Sequence, residues 1–270
     1  MRDIKTIVVP LDGEPNSERA LPLALDLAQQ LGARVLLLSS VTALDERHFR
    51  TQQLQTLADG LERVDEGVSV DVVHTDDVSA PIEEAAMEQS MIVMATSGKV
   101  GLHDGHIGSI AEKVVREVHE PVFLVGPAAD ARLDVGKVVV PVDGSAAAEA
   151  AIDLAADWAD EFGVPLWVVT VVTPDQQAAA AKAGVTAEHG YVKRLADRVS
   201  DRVDGEFEVL HGDDPVESLI DFLGDDSLCV MTTTGKSGIS RIVIGSVAAG
   251  VVRRSQRPVL VVTSTSVAPR

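Results

Sequence analysis

The sequence predicts an α/β protein: two doubly wound parallel-sheet domains, one after the other in a single chain. Two observations carry this expectation. Short Val/Ile/Leu runs alternate with longer helical patterns along all 270 residues, and that alternation is the mark of βαβ units in a parallel sheet. The chain also repeats itself. "IKTIVVPLDG" (4–13) returns as "GKVVVPVDG" (136–144), which sets Asp143 131 positions after Asp12. "IVMATSGKVG" (92–101) returns as "CVMTTTGKSG" (229–238), and "EPVFLV" (120–125) as "RPVLVV" (257–262), both offset by 137. The change of offset falls where "ALDERHF" faces the longer, Ala-rich "PDQQAAAAKAG". A repeat found this early decides the architecture.

In the first half, strands are expected near 4–9, 34–41, 68–74, 91–95 and 121–125. Between them lie helical patterns at 16–32, 45–64, 80–89 and 109–120. The second half repeats the order, with strands near 137–141, 165–172, 206–210, 227–231 and 258–262. These runs are continuously apolar, as strands covered by helices on both faces should be. Asn16, Ser17, Ser109 and Ser246 stand where helix starts are expected. The segment "GPAADARLDV" (126–135) joins the halves, giving domains of 1–128 and 134–270.

Composition narrows the function classes. With 46% apolar residues but only 3% aromatic ones, the core must be built from Val, Ala, Leu and Ile. A net charge of −19 opposes a general nucleic-acid or anionic-membrane surface, because its field repels phosphate. No apolar run approaches the roughly 18–20 residues of a membrane span, and "MRDIKTIVVP" enters a strand without an apolar signal segment. The single cysteine, Cys229, lies in the apolar run "SLCVM" and reads as a small buried side chain. A cytoplasmic protein is expected. Trp158 and Trp167 read as core of the second domain.

"TTTGKSG" (232–238) ends like a Walker A loop, but that motif needs a glycine five positions before the second one. Val230 and Val93 stand there, inside strands, so the spacing fails in both copies. A different spacing repeats: Gly98 and Gly235 are each followed by nine residues and then Gly108-Ser109 or Gly245-Ser246. A glycine before a helix start offers unpaired N–H groups and a positive dipole end, a ready phosphate site. Asp12 and Asp143 lie just past the first strand of each unit. Ligands of open α/β sheets bind outside the strands' carboxyl ends at the switch point, so each Asp should face its Gly-Ser turn across one crevice. A carboxylate there can accept from ribose hydroxyls or an adenine amine, or hold a hydrated cation. The inferred ligand is a nucleotide.

The remaining polar motifs are weaker. Lys99 and Lys236 read equally as phosphate contacts or solvated loop lysines. His103 and His106, around Asp104, lack further metal ligands in the sequence, and no metal site is expected. "HTDD" (74–77) and "HGDD" (211–214) read as helix caps. No G-x-S-x-G elbow, H-E-x-x-H or Cys/His pairing is present, so at most slow ATP turnover is expected.

Strand–"P-x-D-G", strand–"G-x9-G-S" and a closing "P-V-x-x-V" strand, taken together and doubled, resemble the tandem form of the universal stress proteins. The resemblance covers essentially the whole chain. It implies a flavodoxin-like fold of the adenine nucleotide α-hydrolase-like type, and ATP as the ligand with Mg2+ as its companion ion. It implies a stress-response role as a nucleotide-gated interaction module with protein partners. A pseudo-two-fold pairing of the domains through "PVFLV" and "PVLVV" follows too, with a homodimer as a larger assembly. Carried over residue by residue, the first site comprises Pro10, Asp12, Val41, Met94, Ala95, Gly98, Gly108, Ser109 and Ile110. The second comprises Pro141, Asp143, Val171, Met231, Thr232, Gly235, Gly245, Ser246 and Val247. The family's ATP-binding pattern is G-x-x-G-x9-G-[ST], and its first glycine is Ala95 in one copy and Thr232 in the other. The second loop, "KSGISRIVI", keeps the family's character. The first, "KVGLHDGHI", adds Asp104 where phosphates would lie, so the second site is favoured. The competing readings are a nucleotide-independent interaction protein with closed pockets, and a weak ATPase.

Overall fold

The computed structural model describes residues 4–61, 67–87, 89–96, 107–132, 134–183, 188–233 and 244–263. The first half runs β1 (Thr6–Pro10), α1 (Pro15–Glu18), α2 (Leu21–Leu31), β2 (Arg34–Val41), α3 (Glu46–Asp59), β3 (Val68–His74), α4 (Ala80–Ala85), β4 (Ser90–Ala95), α5 (Ser109–Glu117) and β5 (Val122–Val125). The second runs β6 (Lys137–Pro141), α6 (Ala146–Phe162), β7 (Leu166–Val172), α7 (Pro174–Ala183), α8 (Glu188–Asp197), β8 (Gly205–His211), α9 (Pro215–Leu223), β9 (Ser227–Thr232), α10 (Ser246–Arg254) and β10 (Val259–Val262). All ten strands join in one sheet, in the order β3-β2-β1-β4-β5-β10-β9-β6-β7-β8. Pairing is parallel within each half. The second half repeats that pattern.

The halves meet at an antiparallel seam, where β10 pairs with β5 through Val259–Leu124, Leu260–Phe123 and Val261–Val122. Both strands are buried throughout, which is why "PVFLV" and "PVLVV" are so apolar: each would otherwise be an open sheet edge. Packing crosses the seam as well as hydrogen bonding. Phe123 on β5 meets Trp158 on α6 edge-on, with ring centroids 5.5 Å apart. The Arg19 guanidinium donates to the carbonyls of Gly126 and Ala129, each at 2.9 Å, and so ties α1 to the connecting segment. Trp158 is 1% exposed; Trp167 on β7 is half-buried against Phe222.

The outermost strands, β3 and β8, alternate between more and less buried positions, whereas central strands are buried throughout their middles. Three elements depart from their sequence expectation. The helix expected over 16–32 breaks into α1 and α2, because Pro22 lacks an N–H and fits only the first turn of a new helix. The helix expected at 80–89 stops at Ala85, and Gln89 takes φ +66° to turn the chain into β4. The expected helix-start serines are not caps: Gly108 and Gly245 occupy the N-cap positions of α5 and α10, with Ser109 and Ser246 as first helical residues. Asn16 and Ser17 lie inside α1, which starts after Glu14. Among the described residues, no helix is long and apolar enough to cross a membrane.

The motifs read as caps divide. Asp214 caps α9, accepting from Val216 N at 2.8 Å. Asp77 instead accepts from Ser79, the residue before α4, and from Lys113 Nζ on α5 at 2.7 Å. The Lys113 ammonium, then the Ser79 hydroxyl and N–H, hold the Asp77 carboxyl at about 2, below its ordinary 3.8. A depressed carboxylate stabilises the fold above its unfolded value and loses that contribution as the pH falls towards the folded one. In Lys113→Met, the Asp77 titration followed by carboxyl NMR should move up towards 3.8, and melting should depend less on pH between about 4 and 2. At the seam, a Cβ on Gly126 would overlap the Val252 carbonyl oxygen. Gly126→Ala should therefore lower stability by about 1–3 kcal/mol in urea denaturation, as overpacking does.

Candidate functional site

The switch point of the second half lies between β6 and β9, which are parallel neighbours, and β10 continues the sheet beyond β9. At the end of β6 the chain turns through Asp143 and Gly144, and Gly144 takes φ +85°, a left-handed conformation that glycine enters without strain. Asp143 Oδ1 accepts from Ser145 N at 2.9 Å. Ser145 then caps α6 by accepting from Ala148 N at 3.2 Å. The acidic side chain is thus held in the turn by its own backbone.

Across the switch point, β9 ends at Met231 and Thr232. Thr233 O accepts from Gly245 N at 2.8 Å, which brings the α10 N-terminus beside the end of β9. Among the described residues no side chain caps α10, no acidic residue sits in its first turn, and Arg253 and Arg254 occupy its last turn. The first N–H groups of such a helix present a positive end.

Between these two rims lies a cavity of about 800 Å³, within the roughly 300–1,000 Å³ typical of small-molecule sites. Its walls carry Pro141 and Asp143 from one rim, Met231 and Thr232 from β9, Val171 from β7, and Gly245, Ser246 and Val247 from the α10 start. The structure therefore gathers eight of the nine residues singled out for the second site; the ninth, Gly235, lies outside the described residues. Thr232 is half-buried on the wall, and the cavity persists beside it. The strand register corrects one equivalence. Pro10 pairs with Leu38 and Pro141 with Val169, so the partner of Val41 in the repeat is Val172, and Val171 matches Ser40. Both valines line the cavity.

Sequence reasoning missed the wall supplied by α7 and α8, where Gln176, Glu188, Tyr191 and Arg194 face the cavity. Glu188, Tyr191 and Arg194 follow one another at intervals of three along α8, the spacing of any single helix face, so no motif marks them. Tyr191, the only tyrosine, donates to Glu149 Oε1 at 2.9 Å. Burial first, and the Glu149 carboxylate second, push its phenol pKa up.

The first half places its expected residues in the same scaffold. Pro10 ends β1, Val41 ends β2, Met94 and Ala95 end β4, and Gly108, Ser109 and Ile110 start α5. Gly13 takes φ +82° and Asp12 Oδ1 accepts from Glu14 N at 2.9 Å, repeating the turn at Asp143. Asp12, Ser109 and Ile110 are exposed. Gly98 lies outside the described residues, as do Lys99, His103, Asp104, His106 and Lys236.

The surroundings of this crevice differ. The Arg50 guanidinium from α3 lies directly over Gly13, so that a Cβ there would overlap Nη1. The Asn16 side chain donates to Thr96 O at 3.3 Å, and Glu112 Oε1 accepts from Ile107 N at 3.1 Å. The second crevice offers a carboxylate at one end, helix N–H groups at the other and apolar side chains between. Among the described residues no group of three or more His, Cys, Asp or Glu could hold a metal by itself.

Comparison with known proteins agrees with this architecture. The model of the universal stress protein family matches residues 3–126 and again 135–263. A universal stress protein of Synechocystis sp. is 27% identical over 196 residues, covering 71% of this chain and 64% of its own length. One of Mycobacterium bovis is 29% identical over 191 residues, covering 66% of this chain and 63% of its own. The chain thus spans somewhat less than two thirds of these relatives. Among solved structures, a universal stress protein from Archaeoglobus fulgidus superposes with a TM-score of 0.70 at 19% identity, covering 96% of both chains. A putative universal stress protein from Pseudomonas aeruginosa gives 0.69 at 20%, covering 98% of this chain and 95% of that one. With its family pattern present twice on one ten-stranded sheet, the chain belongs to the universal stress protein family in tandem form.

Proposed function

We propose that the second crevice binds ATP or another adenine nucleotide, and that the protein works as a nucleotide-gated interaction module in a stress response. One observation carries the reading: a cavity of about 800 Å³ between a fixed acidic turn and an uncapped helix start. The phosphates would meet the N–H groups at Gly245, Ser246 and Val247, where the dipole and the absence of a first-turn acid favour an anion. The adenosine would lie between Val171, Val172 and Met231, with Asp143 accepting from a ribose hydroxyl or the adenine amine. This local field works against the long-range repulsion of a chain carrying −19, so binding should strengthen with salt or with Mg2+ as companion ion.

The role assigned is binding, with at most slow turnover. Cys229 is fully buried and its thiol pKa is pushed up by that burial, which suits packing rather than nucleophilic attack. The reading places the protein in the cytoplasm, where a lone buried cysteine is ordinary. Its partners are the nucleotide and proteins that recognise the ligand-dependent surface around the crevice mouth.

Two measurements test this. ATP at 100-fold over its Kd should add about 2.7 kcal/mol of stability, read as a rise in melting temperature; an unchanged melting curve at millimolar ATP with Mg2+ would remove the proposal. Asp143→Asn keeps the acceptor for Ser145 N but removes the charge. It should weaken ATP binding about tenfold or more by calorimetry, the size of a lost charged hydrogen bond, with the fold unchanged by circular dichroism.

A further inference from the structure

Each rim of the first crevice is engaged by a side chain of the protein itself, and a third side chain bridges the two rims. At the acidic-turn end, the Arg50 guanidinium packs on Gly13, and its Nη1 is buried without a hydrogen-bond partner among the described residues. Across the mouth, Asn16 Nδ2 donates to Thr96 O at 3.3 Å, linking α1 directly to the residue after β4. At the helix end, the Glu112 carboxylate accepts from Ile107 N at 3.1 Å and brings a negative charge into the first turn of α5. That N–H precedes the N-cap Gly108, and the carboxylate's charge beside the helix's positive end repels an arriving phosphate.

The repeat shows what stands at these three places in the second half. Asn16 corresponds to Ala147 by the offset of 131, and Glu112 to Ala249 by the offset of 137. The buried faces of α3 (Leu54, Ala58) and α8 (Val192, Ala196) set Arg50 opposite Glu188, a shorter side chain on the cavity wall. Each of these three side chains is thus matched by an alanine, or by a shorter group without a donor, in the second half. The framework is the same in both: Asp and left-handed Gly at one rim, an N-cap glycine at the other.

We infer that this chain carries one nucleotide site and not two, because Arg50, Asn16 and Glu112 occupy the first crevice from within, with Arg50 filling its acidic-turn end. The inference rests on the nucleotide reading of the second crevice, and its test separates the two. Calorimetry with ATP and Mg2+ should give one ATP per wild-type chain. The triple variant Arg50→Ala, Asn16→Ala, Glu112→Ala should give two, and adding Gly245→Val to it should leave one, now in the first half. Circular dichroism and melting check that each variant is folded, and the wild-type stoichiometry needs no variant. Two ATP per wild-type chain would overturn the inference and leave the nucleotide reading standing, since ATP would then displace Arg50 unaided. A folded triple variant that still binds one would also overturn it. No binding by wild type but one ATP per triple variant would uphold the closure while removing the proposed function. No binding by either would remove both.

Discussion

The antiparallel contact between β5 and β10 sets the frame for everything else. Each is the last strand of its half, only four residues long, and buried along its whole length. An open sheet edge of that character would be a template for pairing with any chain that met it. Pairing the two edges within one molecule removes both, and it fixes the halves as one ten-stranded sheet. Phe123 against Trp158, and Arg19 on the carbonyls of the connecting segment, lock the same junction from the helix layer. With the seam inside, the two switch points are left on the outer parts of the sheet as separate crevices, each formed by residues of its own half.

Duplication gave the chain two equivalent frameworks, and the structure shows where they diverged. The turns after β1 and β6 are nearly identical, each with a carboxylate folded back on the backbone and a left-handed glycine. Those features shape the turn itself, so they survive whether or not a ligand binds. The divergence lies in side chains that reach across the gap. An arginine, an asparagine and a glutamate face the first crevice; Glu188, Ala147 and Ala249 stand at the matching places in the second. The backbone approach that glycine permits at Gly13 serves a guanidinium as well as it would a ligand.

Much of this was legible in the sequence. The repeat announced two copies, the continuous apolar runs announced a sheet covered on both faces, and strands at 34–41 and 68–74 match β2 and β3 residue for residue. The spacing of Gly245-Ser246 after β9, and of Asp143 after β6, placed both rims of the second cavity. These features are local: a strand end, a turn glycine and a helix start are each fixed by the few residues that form them.

What the sequence left undecided depends on contacts between distant segments. Tyr191 and Arg194 become cavity wall only because α8 folds back over β7, and no spacing rule connects them to Asp143. The one-residue slip between Val171 and Val172 shows in the strand register, since neighbouring positions of a strand face opposite sides. Above all, the sequence presents Arg50 as one more charged residue of a polar helix. Only the tertiary structure sets its guanidinium on Gly13, 37 positions away in the chain. The sequence determined that there would be two crevices, because local chain geometry repeats with local sequence. Which side chains stand at each crevice was decided by segments meeting across space, and their reach is a property of the packed fold.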